Sequence, residues 1–189
     1  VFYQIKQPMS AYLMFLQGRL DLNALDKDNL DLIGGGEKLP PALAAPGIEL
    51  LRTPEFEVRY VGFNFSDPLL GKNLELRRAI SLAYDVRRRV EHSGGQLVPA
   101  QGPIPPGVAG FDETFRNPWC ADDAELAKRH LEKAGFKDGI DPATGARLRF
   151  TFDQTGNSPA YRQLGELTAA DLARIGVGGE PVLHNLALI

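Results

Sequence analysis

The sequence predicts an α/β fold. Short stretches with apolar residues at every second position alternate along the chain with stretches in which they recur every three to four residues. Up to residue 85 these stretches follow in the order β-α-β-α-α-β-β-α. Such alternation is typical of helices packed on a sheet, and it argues against a helical bundle or an all-β sandwich.

Composition limits the classes of protein that the chain can belong to. Its 189 residues, 43% hydrophobic and 24% charged, are typical of one large or two small soluble globular domains. A formal net charge of −3 lacks the basic footprint of a nucleic-acid-binding protein. Cys120 is the one cysteine, so no disulfide can form within the chain, and cysteine usage does not decide the compartment. No run approaches 18 apolar residues, so we expect no membrane span.

Turn residues divide the first part of the chain into short elements. Pro8 suits the first turn of a helix, and Gly18 is the natural residue to end it. The expected elements are a strand Val1–Ile5, a helix from Pro8, a short strand after Gly18, a helix Asp26–Ile33, a weak helix Glu37–Ala45, and strands Ile48–Arg52 and Glu55–Phe65.

The stretch Tyr60–Asp85 is organised as a strand, a loop and a capped helix. The strand places on one face Val61, Phe63 and Phe65. Asn73 is the expected N-cap of the helix, and Asp85 can cap a second helix, Val86–His92. We expect the run Arg87–Arg89 on that second helix to be a solvated face. The buried stripe of the first helix is Leu76, Ala79, Ile80, Ala83 and Tyr84.

A long loop follows, and then a third well-marked helix. Gly94–Gly110 contains four prolines and five glycines, which exclude regular structure over most of its length; such loops are usually functional or ordered by packing. Asp122, with Glu125 three residues later, is expected to cap the next helix, and Gly135 to end it. Its buried stripe is Ala124, Ala127, Leu131 and Ala134.

The last part of the chain predicts a strand, a helix and a further strand. The alternation of apolar and polar residues from Leu148 to Phe152 predicts a strand with one solvent-exposed face. Ser158 as cap and Pro159 in the first turn mark the start of the last long helix, in which Asp171 interrupts the apolar stripe. The stripe consists of Leu164, Leu167, Leu172 and Ile175. The final strand is expected over Pro181–Ile189.

Motifs for catalysis, metals and cofactors fail on spacing. The segment around Gly71-Lys72-Asn73 lacks both the first glycine and the final Ser or Thr of a phosphate-binding loop. Gly34–Gly36 lacks the spacing of a dinucleotide site, and the loop at Asp138 has Ile140 where a calcium loop needs Asp or Asn. The three histidines are far apart in sequence, and no nucleophile elbow occurs. We therefore expect no cofactor and no metal, and a binding protein and not an enzyme.

Several segments carry a resemblance to a known family. The segments FNF and NLELRRAISLAYD, in this order, resemble the signature of family 5 extracellular solute-binding proteins. These proteins are the peptide, oligopeptide and nickel-type receptors of ABC importers. The segments GRLDLN, AQGPIPPG and DDAELAKRHLEKAGF are similar to further elements of that family. The resemblance covers essentially the whole chain.

The resemblance implies one lobe of a periplasmic-binding-protein type II fold, a mixed sheet flanked by helices, over residues 1–189. It implies a substrate-binding component that captures a peptide or similar small solute between two lobes and delivers it to the permease subunits of an ABC transporter, in the periplasm or outside the cell. A sensory module of the same fold is the alternative. Because the second lobe and the family's downstream acidic motif are absent from the sequence, we expect an excised piece that binds ligand weakly alone.

Binding residues are expected in the loops that connect strands to helices, because these loops face the cleft in such proteins. The candidates are Asn64, Phe65, Gln101, Asp153, Thr155 and Tyr161, with Asn157 beside them. Phe65 could instead pack in the core, and Asn64 could satisfy the backbone at a strand end. Asp153 and Tyr161 could instead serve only as caps at the helix N-terminus.

Overall fold

A computed structural model of the chain describes residue 5 and residues 7–35, 38–156 and 159–184. Most of the expected strand Val1–Ile5, the expected cap Ser158 and residues 185–189 of the final strand lie outside this part. The α-helices are α1 Pro8–Leu16, α2 Lys27–Leu32, α3 Pro41–Ala44, α4 Pro68–Lys72, α5 Leu74–Ala83, α6 Val86–His92, α7 Ala124–Lys133 and α8 Pro159–Arg174. The strands are β1 Arg149–Thr155 and β2 Gly178–His184, and a 3₁₀ turn covers Lys137–Gly139.

Contacts group the chain into two compact units. The first consists of Val1–Glu55 and Val90–Val98, and the second of Phe56–Arg89 and Pro99–Ile189. The single lobe over residues 1–189 stays a prediction.

In the first unit, α1 and α2 enclose a small apolar core. Its buried residues are Tyr12, Leu30 and Ile33. The Asp26 side chain caps α2 by accepting from the Asn29 backbone N–H at 2.9 Å, as its position before an apolar run predicts. The Asn29 side chain, fully buried, donates to the Pro8 carbonyl at 3.4 Å and so connects the starts of the two helices.

Several of the strand predictions before residue 66 are wrong. The residues after Gly18, Ile48–Arg52 and Glu55–Phe65 adopt no strand in the described chain. A strand requires a hydrogen-bonded neighbour, and the one ladder among the described residues joins β1 to β2. Alternation in Val61–Phe65 therefore occurs in an extended segment whose Val61 and Phe65 side chains are exposed.

The second unit begins with two helices capped by their own side chains. Asp67 accepts from the backbone N–H groups of the first turn of α4, a short helix where a loop was expected. Asn73 caps α5 by accepting from Leu76 at 3.0 Å, as expected, and also donates to the Ala134 carbonyl at 2.9 Å. One side chain thus starts α5 and holds it against the end of α7.

Helix α7 begins one residue later than expected. Asp123, and not Asp122, caps it by accepting from the Leu126 N–H at 2.8 Å. Asp122 has a left-handed backbone, with φ of 46°, and its carboxylate pairs with Arg174 instead. The expected end is confirmed, because Gly135 has φ of 94° and the Phe136 N–H donates to the Leu131 carbonyl.

The sheet of the second unit is a parallel pair joined by α8. β1 and β2 run in register from Arg149 opposite Gly178 to Thr155 opposite His184. A parallel pair needs a crossover connection, and α8 supplies it. The core between the helices and this pair contains Leu76, Ala79, Leu82, Ala83, Ala127, Leu131, Leu148, Leu172, Ile175 and Val177.

Asp171 of α8 is the polar residue that the apolar stripe left unexplained, and it is 1% exposed. Arg89 donates to its Oδ2 at 2.6 Å and Arg88 to its Oδ1 at 3.0 Å. The Asp85 backbone N–H adds a bond at 3.1 Å. The expectation of a solvated arginine run on α6 is therefore wrong for Arg89, which is 6% exposed.

The buried Arg89 has further partners that fix its orientation. Its guanidinium lies 3.4 Å from the centroid of the Tyr84 ring and donates to the Thr168 hydroxyl at 2.8 Å. It also donates to the Asp85 carbonyl at 2.7 Å. Burial of the phenol raises the pKa of Tyr84, even though the arginine acts in the opposite direction. The network joins α6 to α8 through charges removed from water.

A second polar cluster joins α5 to α7. His130 is 8% exposed, and its Nδ1 lies 2.5 Å from Glu75 Oε2. Arg78 donates to Glu75 Oε1 at 2.6 Å, and its guanidinium lies 4.5 Å from the Trp119 ring centroid. The Trp119 and His130 rings meet edge to face at 5.4 Å. The hydrogen bond with His130, helped by Arg78, lowers the pKa of Glu75 below its ordinary value of 4.5.

We predict that Asp171→Ala destabilises the full-length protein by about 3–5 kcal/mol, because it leaves two arginines without a buried counter-charge. Glu132→Ala is the matched control: its ion pair with Lys137 is exposed on both sides, so its loss should cost less than about 1 kcal/mol. Thermal and urea unfolding measure both. Equal shifts in the two variants would contradict a structural role for the network.

A second prediction concerns the loss of stability at low pH through Glu75. Because the folded pKa of Glu75 is lowered, its contribution to stability is complete above 4.5 and is lost as pH falls through the folded pKa. The melting temperature of wild type should exceed that of Glu75→Gln at pH 7, and the gap should shrink as pH drops below 4.5. Glu132→Gln should track wild type throughout. A constant gap from pH 7 down to about 3 would refute the linkage.

Candidate functional site

Strand β1 and the start of α8 bring three predicted site residues to one edge of the parallel pair. Asp153 and Thr155 lie in the last part of β1, opposite Val182 and His184. In open α/β sheets, ligands bind at the carboxyl ends of the strands. We call this region, formed by Asp153, Thr155, Gly156, Tyr161 and His184, the carboxyl edge.

His184 is the residue of the carboxyl edge that sequence reasoning missed. Its Nε2 lies 2.8 Å from Asp153 Oδ1, and the side chains are 43% and 82% exposed respectively. The final strand was expected, but only the register of the parallel pair shows that His184 ends opposite Thr155, next to Asp153. The pair places an imidazole and a carboxylate, both reachable from solvent, at the end of the sheet.

Gly156 shapes the backbone between β1 and α8. Its φ is 107°, a region that favours glycine, and its N–H donates to the His184 carbonyl at 2.8 Å. A Cβ at this position would lie 2.6 Å from the Tyr161 ring. Tyr161, 36% exposed, therefore packs directly on the turn that follows β1. The Thr155 side chain and Asn157 lie outside the described part.

Asn64 and Phe65 lie on a separate turn ahead of α4. The Asn64 side chain accepts from the Ser66 N–H at 2.9 Å, which is the backbone role considered as its alternative. Phe65 is 68% exposed, so the alternative of core packing is wrong. The Arg77 guanidinium lies 4.7 Å from its ring centroid and donates to the carbonyls of Leu70 and Gly71. An arginine thus holds an exposed aromatic ring in place.

Gln101 lies in the long irregular loop and orders it. Its Oε1 accepts from the Asn117 N–H at 3.0 Å, and Gln101 also lines a small hollow in this loop. Ile104, Phe111 and Phe115 supply apolar walls to the hollow. The carboxylate of Asp112, which also lines the hollow, accepts hydrogen bonds from Thr114, and these bonds lower the Asp112 pKa. Gln101 therefore has a structural partner in this structure.

An apolar groove lies between the extended segment Val61–Phe63 and the neighbouring β1, α5 and α8. Its walls include Ile80, Phe150, Phe152 and Leu172. Asp171 is the acidic group at its border, and both of its oxygens are bound by arginines. The groove consequently offers apolar surface and few free polar groups, whereas the exposed polar side chains of Asp153 and His184 lie at the carboxyl edge.

Two further features bear on chemistry. Among the described side chains, no group of three or more His, Cys, Asp or Glu is arranged to hold a metal ion. Burial raises the pKa of the Cys120 thiol, which is opposite to the activation that a nucleophilic cysteine needs. Within the described ranges no helix is long and apolar enough to cross a membrane. The arrangement at the carboxyl edge suits recognition of a polar ligand group.

Comparison with known proteins identifies relatives of the chain. The family model for bacterial extracellular solute-binding proteins, family 5, matches residues 1–180. The chain is 28% identical over 144 residues to heme-binding protein A of Haemophilus influenzae, covering 75% of this chain and 25% of that protein. It is 34% identical over 115 residues to di/tripeptide-binding protein 2 of Pseudomonas aeruginosa, covering 60% of this chain and 19% of that protein.

Solved structures show the same fold. The oligopeptide-binding protein AppA of Bacillus subtilis, in complex with a nonapeptide, superposes with a TM-score of 0.77 at 17% sequence identity. The superposition covers 97% of this chain and 36% of the AppA chain. NikA of Brucella suis, in complex with Fe(III)-EDTA, gives a TM-score of 0.72 at 21% identity, covering 97% of this chain and 36% of its own. The chain thus spans about a quarter or less of those two relatives and about a third of these structures. It has the type II periplasmic-binding-protein fold and belongs to the family 5 bacterial extracellular solute-binding proteins.

Proposed function

We propose that the chain is part of the substrate-binding component of an ABC importer. In this role it captures a peptide or similar small solute in a cleft between two lobes and delivers it to the permease subunits. The observation that carries the proposal is the family match over residues 1–180, which includes β1 and the first three residues of β2. A non-catalytic role and a periplasmic or extracellular location at the transporter are part of the same proposal.

Peptides are the solute class that the relatives favour. The relative with 34% identity is a di/tripeptide-binding protein. Structures with TM-scores of 0.77 and 0.69 hold a nonapeptide and the dipeptide Met-Leu respectively. The relative with 28% identity is a heme-binding protein, and NikA holds Fe(III)-EDTA. Peptides, heme and EDTA differ in size and charge, but all of them carry carboxylate groups.

We propose contacts to the solute from the carboxyl edge, through Asp153, Thr155 and Tyr161. Asp153 is 82% exposed beside His184, and Tyr161 packs where β1 gives way to α8. Asn64, Phe65 and Gln101 are proposed as contacts from neighbouring loops. Among these, Phe65 has the strongest support, because an exposed ring held by Arg77 offers a preorganised apolar surface.

The solute is tested on the full-length protein by isothermal titration calorimetry. Alanine peptides of two, three and nine residues, and hemin, are titrated in parallel. We expect one peptide class to bind at micromolar Kd or tighter, since such receptors enclose their ligand. If the protein binds hemin and none of the peptides, heme replaces peptide as the proposed solute. If it binds neither, both proposed solute classes are contradicted.

Transport is tested separately by deleting the gene in its native strain. Loss of uptake of a labelled peptide, restored by wild type, is expected of an importer component. A sensory module of the same fold is the second candidate. It would leave uptake intact and abolish the transcriptional response to the peptide, so the two functions give opposite results.

A further inference from the structure

We infer that His184 is a specificity-determining residue that binds a carboxylate of the solute, and that Asp153 is its positioning residue. The inference rests on the proposed function and deepens it by naming the ligand group that the carboxyl edge recognises. It concerns a residue outside the six site candidates that the sequence suggested.

The first step of the argument is the orientation of the ring. Asp153 Oδ1 lies 2.8 Å from His184 Nε2, so one ring nitrogen is engaged by a neighbour on the adjacent strand. The backbone beneath the ring is also tied, because the His184 carbonyl accepts from Gly156 at 2.8 Å. An imidazole held on one nitrogen points its other nitrogen, Nδ1, in a defined direction. Since 43% of the side chain is exposed, a ligand can reach it.

The second step is the chemistry of the pair. A protonated imidazole donates from both nitrogens, so that Nε2 serves Asp153 while Nδ1 serves a second acceptor. A carboxylate is the acceptor that gains most, because both partners of the hydrogen bond are then charged. Asp153 Oδ1 is the acceptor already in place for Nε2. Asp153 therefore acts on this carboxylate through His184, besides the contact to the solute proposed for it above.

The third step is the surroundings of the edge. The first turn of α8 lies beside it, as the packing of Tyr161 on Gly156 shows. The N-terminus of this 16-residue helix is the positive end of its dipole and adds a weak field of the sign that favours an anion. Glu180, an acidic residue of the same strand, lies about 13 Å back along it, at the distance of four residues.

The test uses the full-length protein and matched ligand sets. Alanine peptides of two to nine residues are titrated as free acids, as C-terminal amides and as N-acetylated acids, and hemin is compared with its dimethyl ester. These arms separate a peptide carboxylate from a heme propionate. Wild type should bind the acid of its ligand class about tenfold tighter than the amide or ester, the effect of one charge-assisted hydrogen bond.

His184→Gln should reduce this ratio to within about twofold, because a neutral amide cannot supply the charge. Asp153→Asn should give an intermediate ratio, since it leaves the imidazole but loosens it. Glu180→Gln, on the same strand away from the edge, should keep the wild-type ratio. The melting temperature of each variant is measured, and a value close to that of wild type excludes misfolding as the cause of a changed ratio. His184→Asn is a second variant at the same position.

An unchanged acid-to-amide ratio in His184→Gln overturns the inference while leaving the proposed function intact. So does a ligand whose N-acetylation matters at this site and whose amidation does not, because that result assigns the edge to an ammonium group. If wild type binds neither peptides nor hemin, the proposed function itself fails. The three outcomes are distinguishable within one set of titrations.

Discussion

A buried carboxylate is the constraint on which the second unit depends. Asp171 sits inside the apolar stripe of α8, where an unpaired charge would cost several kcal/mol, and so it dictates what must surround it. Arg88 and Arg89 meet it from α6, and the backbone N–H of Asp85 approaches at the same place. Apolar packing alone tolerates small rotations of α8. The arginine pair requires in addition that Asp171 faces Arg88 and Arg89 of α6.

The same network explains why the end of α5 is so well defined. Asp85 separates α5 from α6, caps α6 through the Arg88 N–H at 3.0 Å, and offers its carbonyl to Arg89. Arg174, near the C-terminus of α8, reaches Asp122 at 2.9 Å, so the chain before α7 joins the same group of charges. The hydrogen bond that Arg174 donates to Asp122 raises the Arg174 pKa, and coulombic interaction with the surrounding carboxylates acts in the same direction. Elements that are far apart in sequence are thereby held by a few shared atoms.

Helices could be predicted from the sequence where their signals were local. The caps at Asn73 and Asp85, and the glycine stop at Gly135, depend on residues within four positions, and all three are confirmed. Non-local features could not be predicted in this way. The alternation of Val61–Phe65 says nothing about a partner strand, and the run Arg87–Arg89 says nothing about a carboxylate more than 80 residues later.

The candidate site follows the same division. Placing Asp153 and Tyr161 at a strand-to-helix junction needed only the order of elements, and the structure has that junction. Bringing His184 beside Asp153 needed the register of two strands separated by the whole of α8. The exposure of the Phe65 side chain could not be predicted from its apolar character, because it depends on whether the preceding segment pairs with a neighbouring strand.

The discontinuity of the first unit has a consequence for synthesis and for genetic engineering. That unit is completed by Val90–Val98, whose Gln96 side chain donates to the Leu25 carbonyl at 3.1 Å. A ribosome therefore has to release the whole segment from Phe56 to Arg89 before the first unit can close. By the same connectivity, no single cut separates the two units. A fusion or truncation boundary placed after Glu55 would split the first unit, although it falls in an exposed stretch.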